Sequence, residues 1–507
     1  MTLHERETRE RHAQAAGLRA SLADLRAMMD RRAQAQMDLW ESWITRPEFY
    51  PSARNLADYL SLGPGELAPF EAPFASFGIS SLNRAEPHLR ASIDAVLASL
   101  SLIAGQGPAE YPPTEIFAAG PARLAARRAM LFGARRSGTH ARIMGSIGIS
   151  CLAVRDADAP PRSAESHLRA MIGAGADAIR IDTGEGLAED WVGLSQVVRN
   201  LAQDMGLRIP VQIDLPGPQC TVARVIGAHG RLRVGDRFEI VSKLVKGDFP
   251  RMTLSQPAQW AALTEGAALS INGGKLQGQV IRLSKGVARV EVTSTPARGA
   301  RLKPGMVLAV PGVELDLPPL GEADLAVLDL ALTYADNISV ALQSVSDLET
   351  VFGAIDRLRG GAAALPALIL RIETAKALHN LPDLIVAAGG RTTVGVMISR
   401  PELAQELGYA RLTELQDMIF WLCRAAEVPV LWAPNLMERL VQEGRQSRAE
   451  LNEAALSHPA DCVLIGHGPQ TIEALEVLSD TVLRAERYMS RSSARLGGFG
   501  DWLMAEG

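Results

Sequence analysis

From Ala141 onward the chain repeats one pattern: a short apolar, β-branched run, a loop, then a longer segment with apolar residues at helical spacing. Such alternation predicts parallel strands joined by crossover helices. The runs centre on Arg142–Met144, Ala178–Ile181, Val211–Ile213, Asn337–Val340, Leu368–Leu370, Val394–Met397, Pro429–Leu431 and Cys462–Leu464. Eight is the number that closes a (β/α)8 barrel. The runs are apolar at consecutive positions, as expected of strands covered by helices outside and packed side chains inside.

Between the third run and the helical segment near Gly321 the pattern breaks. Residues 218–312 are rich in Gly and Val, with a strand-like Val234–Ile240 and a hairpin-like Val280–Val292 around Lys285-Gly286. This predicts a small β domain inserted in one barrel loop. Pro216-Gly217-Pro218 and Pro311-Gly312 frame it, and the fixed φ of proline beside permissive glycine suits a hinge. Residues 1–45 form a charged helical segment, and 55–105 further amphipathic helices. The expected fold is therefore α/β: a TIM barrel over 136–217 and 313–507, an inserted β lid domain over 218–312, and an N-terminal helical extension over 1–135. That extension carries no recognisable chemistry and reads as an appendage packed on the barrel or on a second subunit, and a homo-oligomer is expected.

Composition narrows the class. Of 507 residues, 47% are hydrophobic and 21% charged, which excludes a disordered or collagen-like polymer. The formal charge of −5 supplies no bulk electrostatic case for nucleic acid or an anionic membrane. No stretch approaches the ~18 apolar residues of a membrane span. The Arg-rich first fifty residues are interspersed with acids and followed by no apolar signal core, so the expected address is cytoplasmic. Cys151, Cys220, Cys423 and Cys462 lack CxxC spacing and read as small buried residues rather than a zinc or disulfide framework.

In an eight-stranded barrel, chemistry gathers at the C-terminal strand ends. Arg180 and Asp182 close the second run, Asp214 the third, Ser339 the fourth, Arg371 and Glu373 the fifth; Arg400 and Glu402 follow the sixth. Carboxylates and guanidinium groups around one mouth suit a divalent cation beside an anionic substrate, and oxygen ligands favour Mg²⁺ or Mn²⁺ over zinc. His467, in Gly466-His467-Gly468-Pro469 after the last run, faces the same side, although a lone loop histidine is ordinarily solvated.

Over roughly 140–490 the order of segments resembles the pyruvate kinase family. Ala141–Gly148 is similar to its opening strand, Gly175–Asp182 to "G-M-N-V-A-R-L-N", Ile213–Pro218 to the "L-D-T-K-G-P" entering its lid, and Leu317–Leu325 to the "D-L-P-A-L-S-E-K-D" leaving it. Arg371-Ile372-Glu373 is similar to "K-I-E", Gly395–Leu403 to "G-I-M-V-A-R-G-D-L", and Ser447–Glu450 with Ala460–Cys462 to "T-R-A-E" and "A-D-C". The resemblance implies phosphoryl transfer from phosphoenolpyruvate to ADP. It also implies Glu373 and Glu402 as ligands of Mg²⁺ (or Mn²⁺), Arg371 as the cation facing the phosphoryl group, and Arg180 as a second phosphate clamp. Ser339 and Arg400 join Arg180 as substrate-binding residues, with phosphoenolpyruvate or pyruvate and a nucleotide as the ligands.

Several family positions are substituted. Arg371 replaces Lys, a planar fork in place of a compact ammonium, and Glu402 replaces Asp. Pro434 stands where the family has the Thr of "A-T-Q", and Pro216 and Thr221 occupy the Lys and Arg positions at the lid entrance, with Arg224 nearby. Asn272 replaces the first Asp of a lid "D-D-G". Asp182, Gly184 and Glu185 replace the Asn, Ser and His of "N-F-S-H-G", which weakens the K⁺ site that the family implies at Asp182 and Asp214. The layout, with a long helical extension and no C-terminal regulatory domain, resembles an atypical bacterial branch. Three readings follow: a pyruvate kinase-like phosphotransferase of reduced activity, a metal-enolate lyase or aldolase of the phosphoenolpyruvate/pyruvate barrel group, or a catalytically inactive homologue with a binding role.

Overall fold

Eight parallel strands close on themselves around an interior that is apolar below and charged above. The computed structural model describes residues 2–63, 65–79, 82, 85–134, 140–152, 163–217, 220–227, 230–256, 260, 263–310, 318–360 and 365–488. Within these, the strands in chain order are β1 (Arg142–Ile147), β2 (Ala178–Ile181), β3 (Val211–Asp214), β4 (Val222–Ile226), β5 (Arg237–Val241), β6 (Arg251–Leu254), β7 (Ala268–Ile271), β8 (Leu276–Ser284), β9 (Val287–Ser294), β10 (Leu308–Ala309), β11 (Asn337–Ala341), β12 (Ala367–Ile372), β13 (Val394–Ser399), β14 (Val430–Leu436) and β15 (Cys462–Ile465). The barrel runs β1-β15-β14-β13-β12-β11-β3-β2, and every expected run falls on one of its strands, with only Pro429 lying one residue before β14.

Alternate residues point inward. Met144, Ala178, Ile369, Met397, Leu431, Ala433, Cys462 and Leu464 fill the interior, while their neighbours Ile143, Ile179, Leu368, Val396 and Val463 pack outward against the helices. Two further residues of that inner cluster come from outside the barrel: Leu131 and Phe132, both fully buried at the end of the helix Thr114–Phe132. Asn337 Nδ2 donates to the Leu131 carbonyl at 2.6 Å, and Arg142 Nε to that of Gly133 at 3.3 Å. Gly133 has φ +84°, and a Cβ there would stand 3.1 Å from the Asp177 carbonyl, so only glycine turns the chain this close under the barrel.

The N-terminal region is thus tied to the barrel. The helix Leu3–Trp40 starts in a Thr2/Glu5 capping box and ends with Trp40 Nε1 donating to Asp383 at 2.7 Å. Glu427, fully buried with φ +55°, receives both nitrogens of the Arg123 fork at 2.5 and 2.6 Å and the Ser52 hydroxyl at 2.6 Å. The neighbouring Arg127 guanidinium is pushed down to about 10 by burial, against the pull of the same carboxylate. Helix Thr114–Phe132 lies beyond the two helical segments read from the sequence, because Gly120-Pro121 interrupts its apolar pattern.

Between β3 and the helix Glu322–Tyr334 lies a separate seven-stranded sheet, ordered β10-β7-β8-β9-β5-β6-β4, with its own apolar core around Phe238, Val280 and Val290. A bridge between Thr221 and Val307 joins its two edges. Pro218 and Pro311-Gly312, read as part of the hinge, lie outside the described residues.

Candidate active site

Two adjacent inward positions start the site. Arg180 on β2 donates from Nε to Asp214 Oδ2 of β3 at 2.6 Å and from Nη1 to Ser146 Oγ of β1 at 3.0 Å; Asp182 Oδ2 lies 3.7 Å from Nη1. Gln212, two residues before Asp214 and so on the same face, donates to Asp214 Oδ1 at 2.8 Å. Burial raises the Asp214 carboxyl's proton affinity, but Arg180, Arg371 and the hydrogen bonds more than offset it, and the group is held below the usual carboxylate range. Burial likewise works against the Arg180 charge, and Asp214 with Asp182 outweighs it.

Two strands along from Asp214, on β12, Arg371 Nε stands 3.1 Å from Glu373 Oε1, and Nη2 donates to the Pro216 carbonyl at 3.4 Å. Gly217, at φ +83°, brings the backbone so near that a Cβ would meet Arg371 Nη2 at 2.9 Å. Its N–H donates to Asp324 at 2.7 Å. Glu373 carries the contrasting shift: burial pushes its carboxyl above the ordinary value, Arg371 opposes this, and the charges of Glu402 and Asp214 add to the rise. Glu402 sits exposed in the first turn of the helix Arg400–Leu407, where the N-terminal dipole favours a carboxylate. The inserted sheet reaches this helix through Ser270 Oγ, 3.3 Å from Gln405.

Arg180, Asp182, Asp214, Arg371, Glu373 and Glu402 therefore form one charged arc at the C-terminal ends of β2, β3, β12 and β13. Two residues expected in it stand elsewhere. Ser339 is fully buried inside the barrel, its hydroxyl directed at Met397 Sδ 3.9 Å away. Arg400 turns outward: its guanidinium lies 4.9 Å over the Trp432 ring, which stacks on Phe420, and it pairs with Glu453. Burial pushes Arg400 down to about 10. β13 ends at Ser399, and Arg400 opens the next helix with its side chain directed to the outward-facing Trp432 of β14.

Sequence reasoning missed Ser146 and Gln212. Both stand two residues from an inward-facing neighbour, so the strand period was the available signal. His467 is drawn into the arc: Nδ1 is 3.5 Å from Asp182 Oδ2 and Nε2 is 3.5 Å from Glu185 Oε1. Glu185 also accepts from the Ser150 N–H at 3.2 Å, and although burial raises it, these partners hold it below the usual range. The Pro434 and Asn435 side chains lie outside the described residues.

The family model for the pyruvate kinase barrel domain matches residues 140–469. The chain belongs to the pyruvate kinase family. It is 26% identical to a pyruvate kinase of Methylorubrum extorquens over 338 residues, spanning 65% of this chain and 67% of that one. It is 24% identical to a pyruvate kinase of Thermotoga maritima over 339 residues, spanning 65% and 70%. The fold is similar to that of a pyruvate kinase from Cryptosporidium parvum, with a TM-score of 0.59, 22% identity, and 69% and 70% of the two chains covered.

The family implies a divalent cation, and the donor chemistry fits one. Burial, more than the nearby charges of Glu402 and Asp214, holds the Glu373 carboxyl above its ordinary value despite Arg371, and a bound cation would relieve the cost of keeping it ionised there. Among the described residues no three His, Cys, Asp or Glu side chains form a closed metal cage. A pair of carboxylates leaving most of the coordination shell to water and substrate is the usual arrangement for Mg²⁺. The K⁺ site fits less well. Both oxygens of Asp214 are taken by Arg180 and Gln212, Asp182 faces Arg180 and His467, and Gly184 has no hydroxyl to offer.

Proposed function

We propose that this pyruvate kinase family member is a phosphotransferase acting on phosphoenolpyruvate and ADP with Mg²⁺, at a rate limited by its substitutions. The arc from Arg180 to Glu402 carries this reading: it sets two guanidinium groups beside a Glu pair whose buried member, Glu373, is held above its ordinary carboxyl value. Phosphoryl transfer asks mainly for positioning and charge neutralisation. Arg180, braced by Asp214 and Ser146, would bind the phosphate. Arg371 would face the oxygens of the group in transfer, oriented by the Pro216 carbonyl and Glu373. Mg²⁺ held by Glu373 and Glu402 would offset charge building on the substrate oxygens. The inserted sheet, in contact with the Glu402 helix, would exclude water.

A catalytically inactive homologue is the second reading. Its support is that each guanidinium already has a carboxylate within ion-pairing distance, Asp214 for Arg180 and Glu373 for Arg371, so an incoming phosphate must compete with both.

A coupled assay with phosphoenolpyruvate, ADP and Mg²⁺ tests the proposal. Turnover that disappears in Glu373→Gln supports it, and a gain in Arg371→Lys identifies Arg371 as the slow point. With no turnover, Mg²⁺-dependent thermal stabilisation by oxalate separates enolate chemistry of the lyase type from an inactive binding protein.

A further inference from the structure

The net charge of −5 hides an asymmetry. Residues 218–312 hold fourteen Lys and Arg against five Asp and Glu, a net of +9, so the remaining residues carry −14. Five of the six lysines in the whole chain lie in this insert. Much of this charge lies away from the mouth. The barrel-facing end of the inserted sheet is marked by the Ser270–Gln405 contact, beside the Ile271–Leu276 pairing where β8 begins. From there β8 runs nine residues to Ser284, roughly 25 Å at strand rise. At that far end the Ser242 N–H donates to the Gly286 carbonyl at 3.0 Å, joining the loop after β5 to the β8–β9 turn. Lys243, Lys246, Arg282 and Lys285 are all exposed there.

Two aliphatic side chains stand among these cations. Val245 is 60% exposed between Lys243 and Lys246, and Ile281 is 40% exposed at a register shift between Val280 and Arg282. A bulge of this kind turns a side chain out of the ladder. The acids nearby are few. Glu239 is buried and shared by Arg251 and Arg289, Glu265 accepts from the Leu283 N–H, and Asp248 is exposed. Of the insert's aromatic rings, Phe238 is fully buried, Arg289 covers Phe249 at 4.6 Å, and Trp260 packs half-buried against the insert core.

We infer that this far tip is a docking surface for an anionic phospholipid bilayer, with Val245 and Ile281 entering the headgroup layer inside a ring of Lys243, Lys246, Arg282 and Lys285. Exposed aliphatics flanked by cations match a surface that is apolar just beneath a negatively charged plane. A single-stranded nucleic acid would draw instead on aromatic platforms for its bases, and the three rings of the insert are buried, covered by Arg289 or packed against its core. The tip is also too far from the arc to serve a substrate held there, so the inference does not depend on the proposed reaction.

Co-sedimentation of the full chain with vesicles tests it. Binding is expected to mixed phosphatidylcholine–phosphatidylserine vesicles and not to phosphatidylcholine alone, and to fall as salt rises from about 0.1 M to about 0.5 M. The exchange Lys243→Ser with Lys285→Ser should weaken binding about thirtyfold. Val245→Asp with Ile281→Asp should abolish it, with unchanged melting temperature and, if the assay above shows turnover, an unchanged rate. Equal binding to neutral vesicles, or full binding by the aspartate variant, overturns the inference. So does tighter retention on mixed-sequence duplex DNA than on vesicles with no effect of the aspartates, which would reassign the tip to nucleic acid. The salt and lipid dependence of the unaltered chain decides the matter even if a variant misfolds.

Discussion

Arg180 Nε and Asp214 Oδ2 meet at 2.6 Å across neighbouring strands, with Asp214's other oxygen held by Gln212. The pair fixes the guanidinium at the strand ends before any ligand arrives, and it spends part of the cation's charge in doing so. Preorganisation and self-neutralisation thus come from one contact.

Replacing Asp214 by Asn separates the two effects. The folded carboxyl titrates below its ordinary value, so its contribution is present above the unfolded value near about 3.9 and fades as pH falls through the folded value. Asp214→Asn should cost about 2–3 kcal/mol at neutral pH, where Arg180 loses its partner. Chemical denaturation should show the gap between variant and parent closing below about pH 4. A gap unchanged with pH would mean the pair is not the source.

Glu373 has the opposite sign. Its folded carboxyl binds a proton more tightly than when unfolded, so the ionised form costs stability above the folded value and that cost lifts as pH falls. Without divalent cation at pH ~8, well above the ordinary Glu value, Glu373→Gln should melt at or above the parent temperature. Mg²⁺ with oxalate should then raise the parent's melting temperature and leave the variant's in place. A variant that responds equally to Mg²⁺ would remove Glu373 from the cation site.

The barrel was legible because parallel strands buried on both faces write themselves as apolar runs, and the sheet ends then name the mouth. What remained hidden was direction. Arg400 and Arg371 look equivalent in sequence, each at the end of a run, but Arg371 continues the inward face of β12 while Arg400 opens the helix after β13 and lands on Trp432. Helix Thr114–Phe132 was obscured by Gly120-Pro121, although Gly120 is there because a Cβ would strike the Pro87 carbonyl at 2.6 Å and Glu427 at 2.8 Å. Close packing by a long-range partner leaves the same letters as a helix break. The charge of the inserted sheet was averaged away in the whole-chain total.

Gly217→Ala tests the backbone approach to Arg371. An L side chain at φ +83° is strained by about 1 kcal/mol, and the added methyl would contact Arg371 Nη2 at 2.9 Å. The melting temperature should fall by a few degrees. Combining the change with Arg371→Ala should return part of the loss, since the clash vanishes while the backbone strain stays. Additive losses would show that the two groups do not touch.

Phe132 tests whether the helical extension is part of the barrel or merely rests on it. The ring is fully buried and shares a cluster with Ile369, Met397 and Leu464 from three strands, so its removal leaves a cavity in the barrel floor that rigid strands cannot easily fill. Phe132→Ala should therefore cost about 3–5 kcal/mol, whereas Ile116→Ala, on an exposed face of the same helix, should change stability by no more than about 0.5 kcal/mol. The unfolding transition decides between one body and two. If the helix completes the barrel, the Phe132 variant unfolds in a single shifted transition followed equally by helical signal and by tryptophan emission. If it is an appendage, a separate early step appears and the barrel melts at its original temperature in a second.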